Sequence, residues 1–225
     1  KTVDRLFVLD GCQDGPVKTI LREAKKQDTM VQYVKKERLD QLSETKNHQG
    51  VIAYCAACEY AEVSDILENA KKKGEAPFIV LLDGIEDPHN LGAIIRTANQ
   101  AGAHGVIIPK RRAVGLTATV ARTSAGAVNY TPVAKVTNLV TVMEDLKKEG
   151  MWFVCADMDG EEMYSLNLKG PIGLVIGNEG EGVSRLVKEH CDMVASIPMK
   201  GDIDSLNASV AMGVLAYEIV RQRRF

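Results

Sequence analysis

Two short apolar runs, each leading directly into a polar loop with glycine, constrain the fold of this chain more than any other feature. The runs are residues 172–176 (IGLVI) and 194–198 (VASIP), and the loops that follow them are residues 177–182 and 199–207. Apolar runs of this length that are bounded by glycine are typical of buried strands in a parallel sheet. Ligands bind outside the carboxyl ends of such strands. The pattern therefore predicts two adjacent ligand-binding loops.

The rest of the chain alternates apolar runs with segments of helical spacing, which indicates a mainly parallel α/β sheet. Further strands are expected at residues 4–10, 31–34, 51–55, 78–83, 105–109, 128–136 and 152–156. Helices are expected at residues 17–27, 35–42, 63–73, 91–101, 117–126, 139–148 and 205–223. Asn90 and Ser205 have side chains suited to capping the helices that begin beside them.

The domain organisation is indicated by a charge run followed by glycine and proline at residues 71–77. We predict a small α/β unit at residues 1–73, a linker at 74–77 and a larger α/β domain at 78–225. The chain begins with Lys1 rather than Met, so we expect the first unit to be incomplete at its N-terminus.

Composition excludes some classes of function. The net charge is −2, so any RNA-binding role must rest on local basic patches. No apolar run approaches the roughly 20 residues that span a bilayer, and no membrane partner is expected. Five cysteines without a regular framework fit a reducing cytoplasm.

The glycine loop at residues 177–182 has the spacing G-x-x-G-x-G and carries Glu179 and Glu181. A dinucleotide-binding loop needs G-x-G-x-x-G, and two carboxylates disfavour a phosphate, so we exclude dinucleotide and P-loop sites. Taken alone, the loop is better interpreted as a turn between a strand and a helix.

Two polar side chains, Asn207 and Ser209, fall in a helix that is otherwise apolar on nearly all sides. A buried amide needs a hydrogen-bond partner, and structural and functional roles are equally compatible with this spacing. Cys55 and Cys58 form a lone C-x-x-C without a second ligand pair, so no metal is expected.

Three separate segments together resemble a known family. Residues 90–98 (NLGAIIRTA), 176–182 (IGNEGEG) and 197–211, which include SLNASVA, are similar to the three ordered motifs of the SpoU (TrmH) family. These are RNA ribose 2′-O-methyltransferases of the SPOUT superfamily. The resemblance extends from about residue 77 to the C-terminus. The only clear departure is Ala208, where Val is common in the family.

The first unit carries a weaker resemblance. Residues 47–51 (NHQGV) and their surroundings are similar to the ribosomal-protein-like substrate-binding domain of the RlmB type. The resemblance implies an α/β fold in which a SPOUT domain with a deep trefoil knot follows this small α/β domain.

The same resemblance implies a cofactor and an assembly. S-adenosylmethionine would bind in the knot at Gly177, Ile197 and Leu206. The family works as a homodimer whose interface lies beside the cofactor site. The last helix would contribute apolar residues to it, namely Val210, Val214, Leu215 and Ile219.

The catalytic residues implied by the motif positions are Arg96, Asn90, Glu179, Ser205 and Asn207. Arginine is a poor base because its pKa lies above about 12. Arg96 is therefore expected to bind a phosphate, with Asn90 and Asn207 orienting it, and the general base stays open. The expected RNA contacts are basic residues of both units, namely Lys110, Arg111, Arg112, Arg122, Arg22, Lys25 and Lys26.

The predicted activity is methylation of a ribose 2′-hydroxyl in RNA, with a guanosine of 23S ribosomal RNA favoured. A transfer RNA target is the first alternative, because members acting on either RNA share these motifs. A non-catalytic RNA-binding module of the same fold is the second alternative.

Overall fold

The computed structural model describes residues 2–12, 14–43, 45–178, 180–203 and 205–225. Its internal contacts divide the chain into two compact units, Lys1–Glu59 and Tyr60–Phe225. We describe each unit separately.

The smaller unit has a three-stranded sheet in the order β2-β1-β3, with β1 parallel to β2 and antiparallel to β3. Its elements are β1 (Val3–Leu9), α1 (Gly15–Lys26), β2 (Met30–Val34), α2 (Lys36–Leu42) and β3 (Val51–Cys55). Leu6 and Val8 of the central strand pack with Val17 and Ala24 of α1. The core therefore forms between one face of the sheet and the apolar face of α1.

The larger unit has a six-stranded, wholly parallel sheet. Its strands are β4 (Phe78–Asp83), β5 (Gly105–Pro109), β6 (Val133–Val136), β7 (Trp152–Glu162), β8 (Ile172–Gly177) and β9 (Met193–Ser196). Its helices are α3 (Val63–Lys73), α4 (Pro88–Gln100), α5 (Ala118–Thr123), α6 (Leu139–Lys148), α7 (Arg185–Glu189) and α8 (Ala208–Arg224). The predicted parallel α/β class is confirmed.

The strand order is β6-β5-β4-β8-β7-β9. The chain continues from β4 toward one side of the sheet and from β8 toward the other side, so the order of the strands reverses between β4 and β8. Such a reversal opens a crevice at the carboxyl ends of the two strands, where ligands of open α/β sheets bind. Strands β8 and β9 are not neighbours, because β7 lies between them, and the adjacency of the loops that follow them stays a prediction. The neighbour of the β8 loop across the crevice is the loop after β4.

Helix α3 belongs to the larger unit. Ile66 is fully buried in one cluster with Ile79 and Ile107. A Cβ added to Gly105 would lie 2.5 Å from the Ile66 side chain, so the helix packs directly on β5. The division of the chain after Glu59 therefore differs from the predicted boundary at residue 73.

Both predicted helix caps were wrong. Helix α4 begins at Pro88, and the N-cap is Asp87, whose carboxylate accepts a hydrogen bond from the His89 backbone N–H at 2.9 Å. Proline is favoured at the first helical position because its missing N–H has no partner there anyway. Helix α8 begins at Ala208 and is capped by Asn207 rather than Ser205.

In three further segments, a bound of the observed element differs from the predicted one by three residues or more. The helix expected at 117–126 ends at Thr123, and Ala127–Asn129 form a 3₁₀ turn. The strand expected at 128–136 is only Val133–Val136, because the 3₁₀ turn occupies its first part. The strand expected at 152–156 continues to Glu162, since an irregularity in register lets it pair with β9 a second time.

Arg223, near the end of α8, binds the loops at the opposite end of the sheet. Its guanidinium donates hydrogen bonds to the carbonyl oxygens of Ala76 at 3.1 Å, Pro77 at 3.0 Å and Gly170 at 2.7 Å. The same group lies 5.4 Å from the ring centroid of Phe78. One side chain thus fixes the segments that lead into β4 and β8.

We expect Arg223→Ala to lower the free energy of unfolding by about 3 kcal/mol or more, because hydrogen bonds to charged groups contribute about 1.5–3 kcal/mol each. Arg224→Ala is the control, since Arg224 is exposed and surface changes usually stay within about 0.5 kcal/mol. Urea unfolding followed by circular dichroism measures both variants. Equal losses in the two would contradict this role of Arg223.

His104 is completely buried beside the same segments. Its Nδ1 accepts a hydrogen bond from the Phe78 backbone N–H at 2.9 Å, and its Nε2 lies 3.0 Å from the Glu75 carboxylate. Burial lowers the pKa of His104 below the ordinary value of 6.5, and the hydrogen bond to Glu75 offsets only part of this effect. The folded protein therefore favours the neutral imidazole.

This depressed pKa predicts a pH dependence of stability. Below the unfolded value of 6.5, the unfolded chain binds a proton at His104 more readily than the folded chain, so the free energy of unfolding falls as the pH drops. Once the pH is below the pKa of His104 in the folded protein, this residue lowers the free energy of unfolding no further. We expect His104→Asn to show a shallower decline than the parent between pH 7.5 and 5 in urea unfolding, whereas parallel curves would refute this assignment.

Candidate active site

The first and third sequence motifs meet through two asparagines. The Asn207 side-chain N–H donates a hydrogen bond to Asn90 Oδ1 at 3.0 Å. Asn207 Oδ1 in turn accepts hydrogen bonds from the Ser209 backbone N–H at 2.9 Å and from the Ser209 hydroxyl at 2.6 Å. The amide of Asn207 thus caps α8 and joins it to the first turn of α4, where Asn90 is buried.

The two helices run side by side from this contact. Beyond the asparagine pair, a Cβ added to Gly213 of α8 would lie 3.4 Å from Thr97 of α4. The contacts follow the same direction along both helices, so α4 and α8 pack roughly parallel. Their N-termini are held together at the carboxyl edge of the sheet.

The second motif forms a closed loop after β8. A Cβ on Gly177 would overlap the backbone of Gly182 and Val183, so only glycine fits where the loop returns. Asn178 holds the loop from within, because its Oδ1 accepts hydrogen bonds from the backbone N–H groups of Gly180 at 2.9 Å and Glu181 at 2.7 Å. Gly177 therefore serves loop closure, as the interpretation of this loop as a turn requires.

The loop is fixed across the crevice by Asp83, the last residue of β4. Its carboxylate accepts a hydrogen bond from the Ser184 backbone N–H at 2.8 Å. This contact spans the point where the strand order reverses. It joins the β4 and β8 loops into one wall.

A cavity of about 700 Å³ opens at this reversal point. It is lined by the loop after β4, the start of α4, one arginine and the β8 loop. The lining residues are Asp83, Gly84, Ile85, Glu86, Asp87, Asn90, Arg112, Asn178, Gly180, Glu181, Gly182 and Ser184. Asn90, one of the predicted catalytic residues, thus faces a space that is large enough for a small ligand.

Arg96 is exposed on α4, and its guanidinium makes no hydrogen bond or ion pair with any other residue that the structure describes. It follows Asn90 by six residues, which is a rotation of about 240° around the helix axis. Asn90 and Asn207 are hydrogen-bonded to each other, and their predicted orienting of Arg96 stays a prediction. Within the described part of one chain, Arg96 is therefore available for an external anion.

The segment between β9 and α8 carries the remaining predicted residues. Ile197 and Leu206 are half-buried, and Ser205 is exposed. Among described residues, no backbone group from 197 to 206 is hydrogen-bonded to another backbone group. The segment thus offers free backbone donors and acceptors beside two apolar side chains. Glu179 lies outside the described residues.

The predicted RNA-binding residues occupy different positions. Arg112 lines the cavity and has a left-handed backbone, with φ 55°. Arg111 is exposed, Lys110 is half-buried, and neither lines the cavity. Arg122 is exposed on α5, a helix that packs so closely on α4 that a Cβ on Gly92 would overlap Thr123.

The loop after β4 also contributes to the site, and the sequence did not predict this contribution. Asp83, Glu86 and Asp87 all line the cavity, but the segment carries no motif of regular spacing. The signal was a buried strand that ends in a carboxylate and Gly84, whose backbone is left-handed at φ 85°. The pattern that identified the loop after β8, a buried strand leading into a polar loop with glycine, is therefore also present after β4.

The predicted dimer residues of α8 are divided between two environments. Leu215 and Ile219 are buried within the chain's own core, so their predicted place in an interface was wrong. Val214 is half-buried. Val210 is 49% exposed, and Tyr217, which is not among the predicted residues, is 51% exposed. These two leave an apolar surface on the helix.

No helix among the described residues is both long and apolar enough to cross a membrane. Within the same residues, no group of three or more His, Cys, Asp or Glu side chains is arranged to hold a metal ion.

Comparison with known proteins agrees with the geometry of both units. The model of the SpoU rRNA Methylase family matches residues 77–217. A second model, described as RNA 2′-O ribose methyltransferase substrate binding, matches residues 1–61. The end of this second match falls near the division between the two units after Glu59.

Similar proteins cover nearly the whole chain. A Bacillus subtilis (strain 168) protein named as a TrmH family tRNA/rRNA methyltransferase, YacO, is 50% identical over 97% of this chain and 88% of its own length. A Staphylococcus saprophyticus protein named as a TrmH family tRNA/rRNA methyltransferase is 44% identical over 100% of this chain and 90% of its own length.

The solved structures that are similar to this chain include the SpoU methyltransferase AviRb from Streptomyces viridochromogenes in complex with the cofactor AdoMet. It has a TM-score of 0.67 and 27% identity, over 99% of this chain and 84% of the AviRb chain. The ordered motifs, the loops that bring them to one edge of a parallel sheet and these matches lead to one conclusion: the chain belongs to the SpoU methyltransferase family.

Proposed function

We propose that this chain transfers a methyl group from S-adenosylmethionine to the 2′-hydroxyl of a ribose in RNA. The hydrogen bond between Asn207 and Asn90 carries this proposal, because it joins two motifs far apart in sequence beside a cavity at the reversal point of the sheet. An amide pair at the rim of a ligand cavity can hold a sugar hydroxyl in a fixed position.

The segment from Ile197 to Leu206 and the end of β8 at Gly177 fit S-adenosylmethionine. An adenine ring needs backbone donors and acceptors at its edge and apolar contact on its faces. Backbone groups of residues 197–203, 205 and 206 make no backbone hydrogen bond to another described residue, and they supply both together with the half-buried side chains of Ile197 and Leu206. In this proposal, the polypeptide forms a deep trefoil knot, and the cofactor site lies within the knot.

When bound, S-adenosylmethionine would supply an electrophilic methyl group, whose bond to sulfur breaks as the new C–O bond forms, with S-adenosylhomocysteine as the leaving group. The 2′-hydroxyl would pass its proton to a general base whose identity stays open. The protein's part is to align the oxygen and to bind the charged backbone beside it. Ser205, which is exposed, would hydrogen-bond near the hydroxyl. Arg96 binds the neighbouring phosphate, because a planar guanidinium presents its N–H donors in a fork that matches phosphate oxygens.

A homodimer accounts for the position of Arg96. It lies on α4 away from Asn90, and the adjacent helix α8 exposes Val210 and Tyr217. Exposed apolar side chains of this kind favour an interface between subunits. A dimer formed through this face would place Arg96 beside the partner's site.

The favoured target is a guanosine of 23S ribosomal RNA in the cytoplasm, with the N-terminal unit holding the RNA. Mapping of ribose methylation in total RNA from strains with and without this gene tests the target. We expect one 2′-O-methyl mark in 23S ribosomal RNA to disappear with the gene. If a 2′-O-methyl mark disappears from transfer RNA instead, transfer RNA is the substrate. If the methylation maps of the two strains are identical, ribose methylation by this chain is refuted.

A non-catalytic RNA-binding module is the competing function. The pairing of Asn90 with Asn207 and the closed glycine loop favour an enzyme, since a module that only binds RNA needs neither. Calorimetric titration with S-adenosylmethionine separates the two, because the module would release no heat.

A further inference from the structure

The turn between α2 and β3 of the smaller unit has an unusual backbone. Lys46, Gln49 and Gly50 all have left-handed conformations, with φ values of 57°, 49° and 82°. For a residue other than glycine this conformation costs about 1–2 kcal/mol. Such strain persists only where the surrounding structure imposes it, and it is concentrated at functional sites.

His48 holds this turn in place from its buried side. Its side chain is only 7% exposed. Nδ1 accepts a hydrogen bond from the Gly50 backbone N–H at 3.0 Å, and Nε2 lies 3.2 Å from the Asp40 carboxylate. The Gly50 carbonyl accepts a hydrogen bond from the Leu9 backbone N–H at 2.8 Å. The turn is therefore attached both to α2 and to the end of β1.

The side chains that the turn presents outward have no structural task. Lys46, Asn47 and Gln49 are exposed. Within the described part of the chain, the side-chain amides of Asn47 and Gln49 make no hydrogen bond. A strained backbone that is rigidly held, yet displays free amides to solvent, is suited to contact with a ligand rather than to stability.

An aromatic side chain and a further cation lie at the same end of the sheet as the turn. Tyr33 of β2 pairs with Val8, and Val8 pairs with Val51, the residue that follows the turn. Tyr33 and Val51 are therefore separated across the sheet by two strand spacings of about 4.8 Å each. Tyr33 is 56% exposed, and the exposed Lys35 follows directly after β2.

This combination fits unpaired RNA. Aromatic faces stack on splayed bases, amide side chains hydrogen-bond base edges, and lysines neutralise phosphates. We propose that the edge formed by Tyr33, Lys35, Lys46, Asn47 and Gln49 is the surface with which the smaller unit binds unpaired bases of the substrate RNA. This inference rests on the proposed function.

The basic face of α1, which the sequence favoured for this contact, is less suited to it. Arg22 and Lys26 both pair with the Glu23 carboxylate, at 3.6 and 2.9 Å. An ion pair within one helix reduces the net charge available to a phosphate. The amides of the turn have no such competitor among the described residues.

The test compares Asn47→Ala/Gln49→Gly with the parent chain, using total RNA from a strain that lacks the gene. Glycine at position 49 keeps the left-handed backbone while removing the amide. We expect the KM for RNA in tritiated methyl transfer to rise at least tenfold, with kcat and S-adenosylmethionine affinity unchanged. Tyr33→Ser should raise KM in the same way without altering the turn.

Gln27→Ala is the matched control, because Gln27 is an exposed amide at the C-terminal end of α1. Unchanged KM in both test variants, or an equal rise in the control, would overturn the proposal. If the parent chain transfers no methyl group, the proposed function fails, but filter retention of the same RNA still decides this inference. Binding lost only in the test variants supports it, and binding equal in all variants, or absent from the parent, overturns it.

Discussion

Arg96→Ala is expected to reduce methyl transfer to RNA by at least about 100-fold, in line with the loss of one positioned group that stabilises charge in a transition state. Stability should change by less than about 0.5 kcal/mol, because Arg96 is exposed and has no partner among the described residues. S-adenosylmethionine affinity should also persist, since the segments that fit the cofactor contain neither Arg96 nor a contact to it.

Initial rates of tritiated methyl incorporation into unmethylated RNA, with calorimetry for cofactor binding, separate these effects. Arg185→Ala is the matched control, because Arg185 is an exposed helical arginine of the same unit whose guanidinium pairs with Glu189 at 2.7 Å. It should retain full activity. Undiminished turnover in Arg96→Ala would remove Arg96 from the reaction, and loss of cofactor binding would assign it a different role.

Gly177→Ala is expected to abolish S-adenosylmethionine binding and to lower the free energy of unfolding by about 2 kcal/mol, the range for overpacking a closely packed site. The added methyl group would overlap the backbone of Gly182 and Val183. Side-chain rotation cannot relieve an overlap with backbone, so the loop after β8 must open. Its opening would also break the Asp83 contact to Ser184.

Gly180→Ala in the same loop is the control for this variant. A Cβ there would meet only Asn178 Oδ1, at 3.7 Å, which is an ordinary van der Waals distance. Calorimetric titration and thermal unfolding of both variants measure the difference. Cofactor binding that survives in Gly177→Ala would mean that loop closure at this glycine is not needed for the site.

Features with a local cause could be predicted from the sequence. The buried strands at Phe78–Asp83 and Gly105–Pro109 and the helices at Val63–Lys73 and Leu139–Lys148 have the predicted bounds. Their apolar periodicity and flanking glycine or asparagine act within a few residues, and such patterns are the most reliable local signals. The family's motifs identified Asn90 and Asn207, which the structure brings together.

Features set by distant contacts could not be predicted in this way. Asp83 binds a residue 101 positions later in the chain, and no local pattern specifies that partner. The order of strands, with β7 between β8 and β9, depends on crossovers that spacing does not reveal. Helix α3 joined the larger unit because Ile66 packs against Gly105, although a charge run and glycine follow the helix.

The atom that receives the methyl group is the most direct test of the proposed chemistry. Purified protein would be incubated with tritiated S-adenosylmethionine and unmethylated RNA, and the RNA would then be digested to nucleosides and separated by chromatography. We predict that the label elutes with a 2′-O-methylnucleoside. Label in a base-methylated nucleoside, or no label in RNA, would contradict the central claim that this chain methylates a ribose hydroxyl.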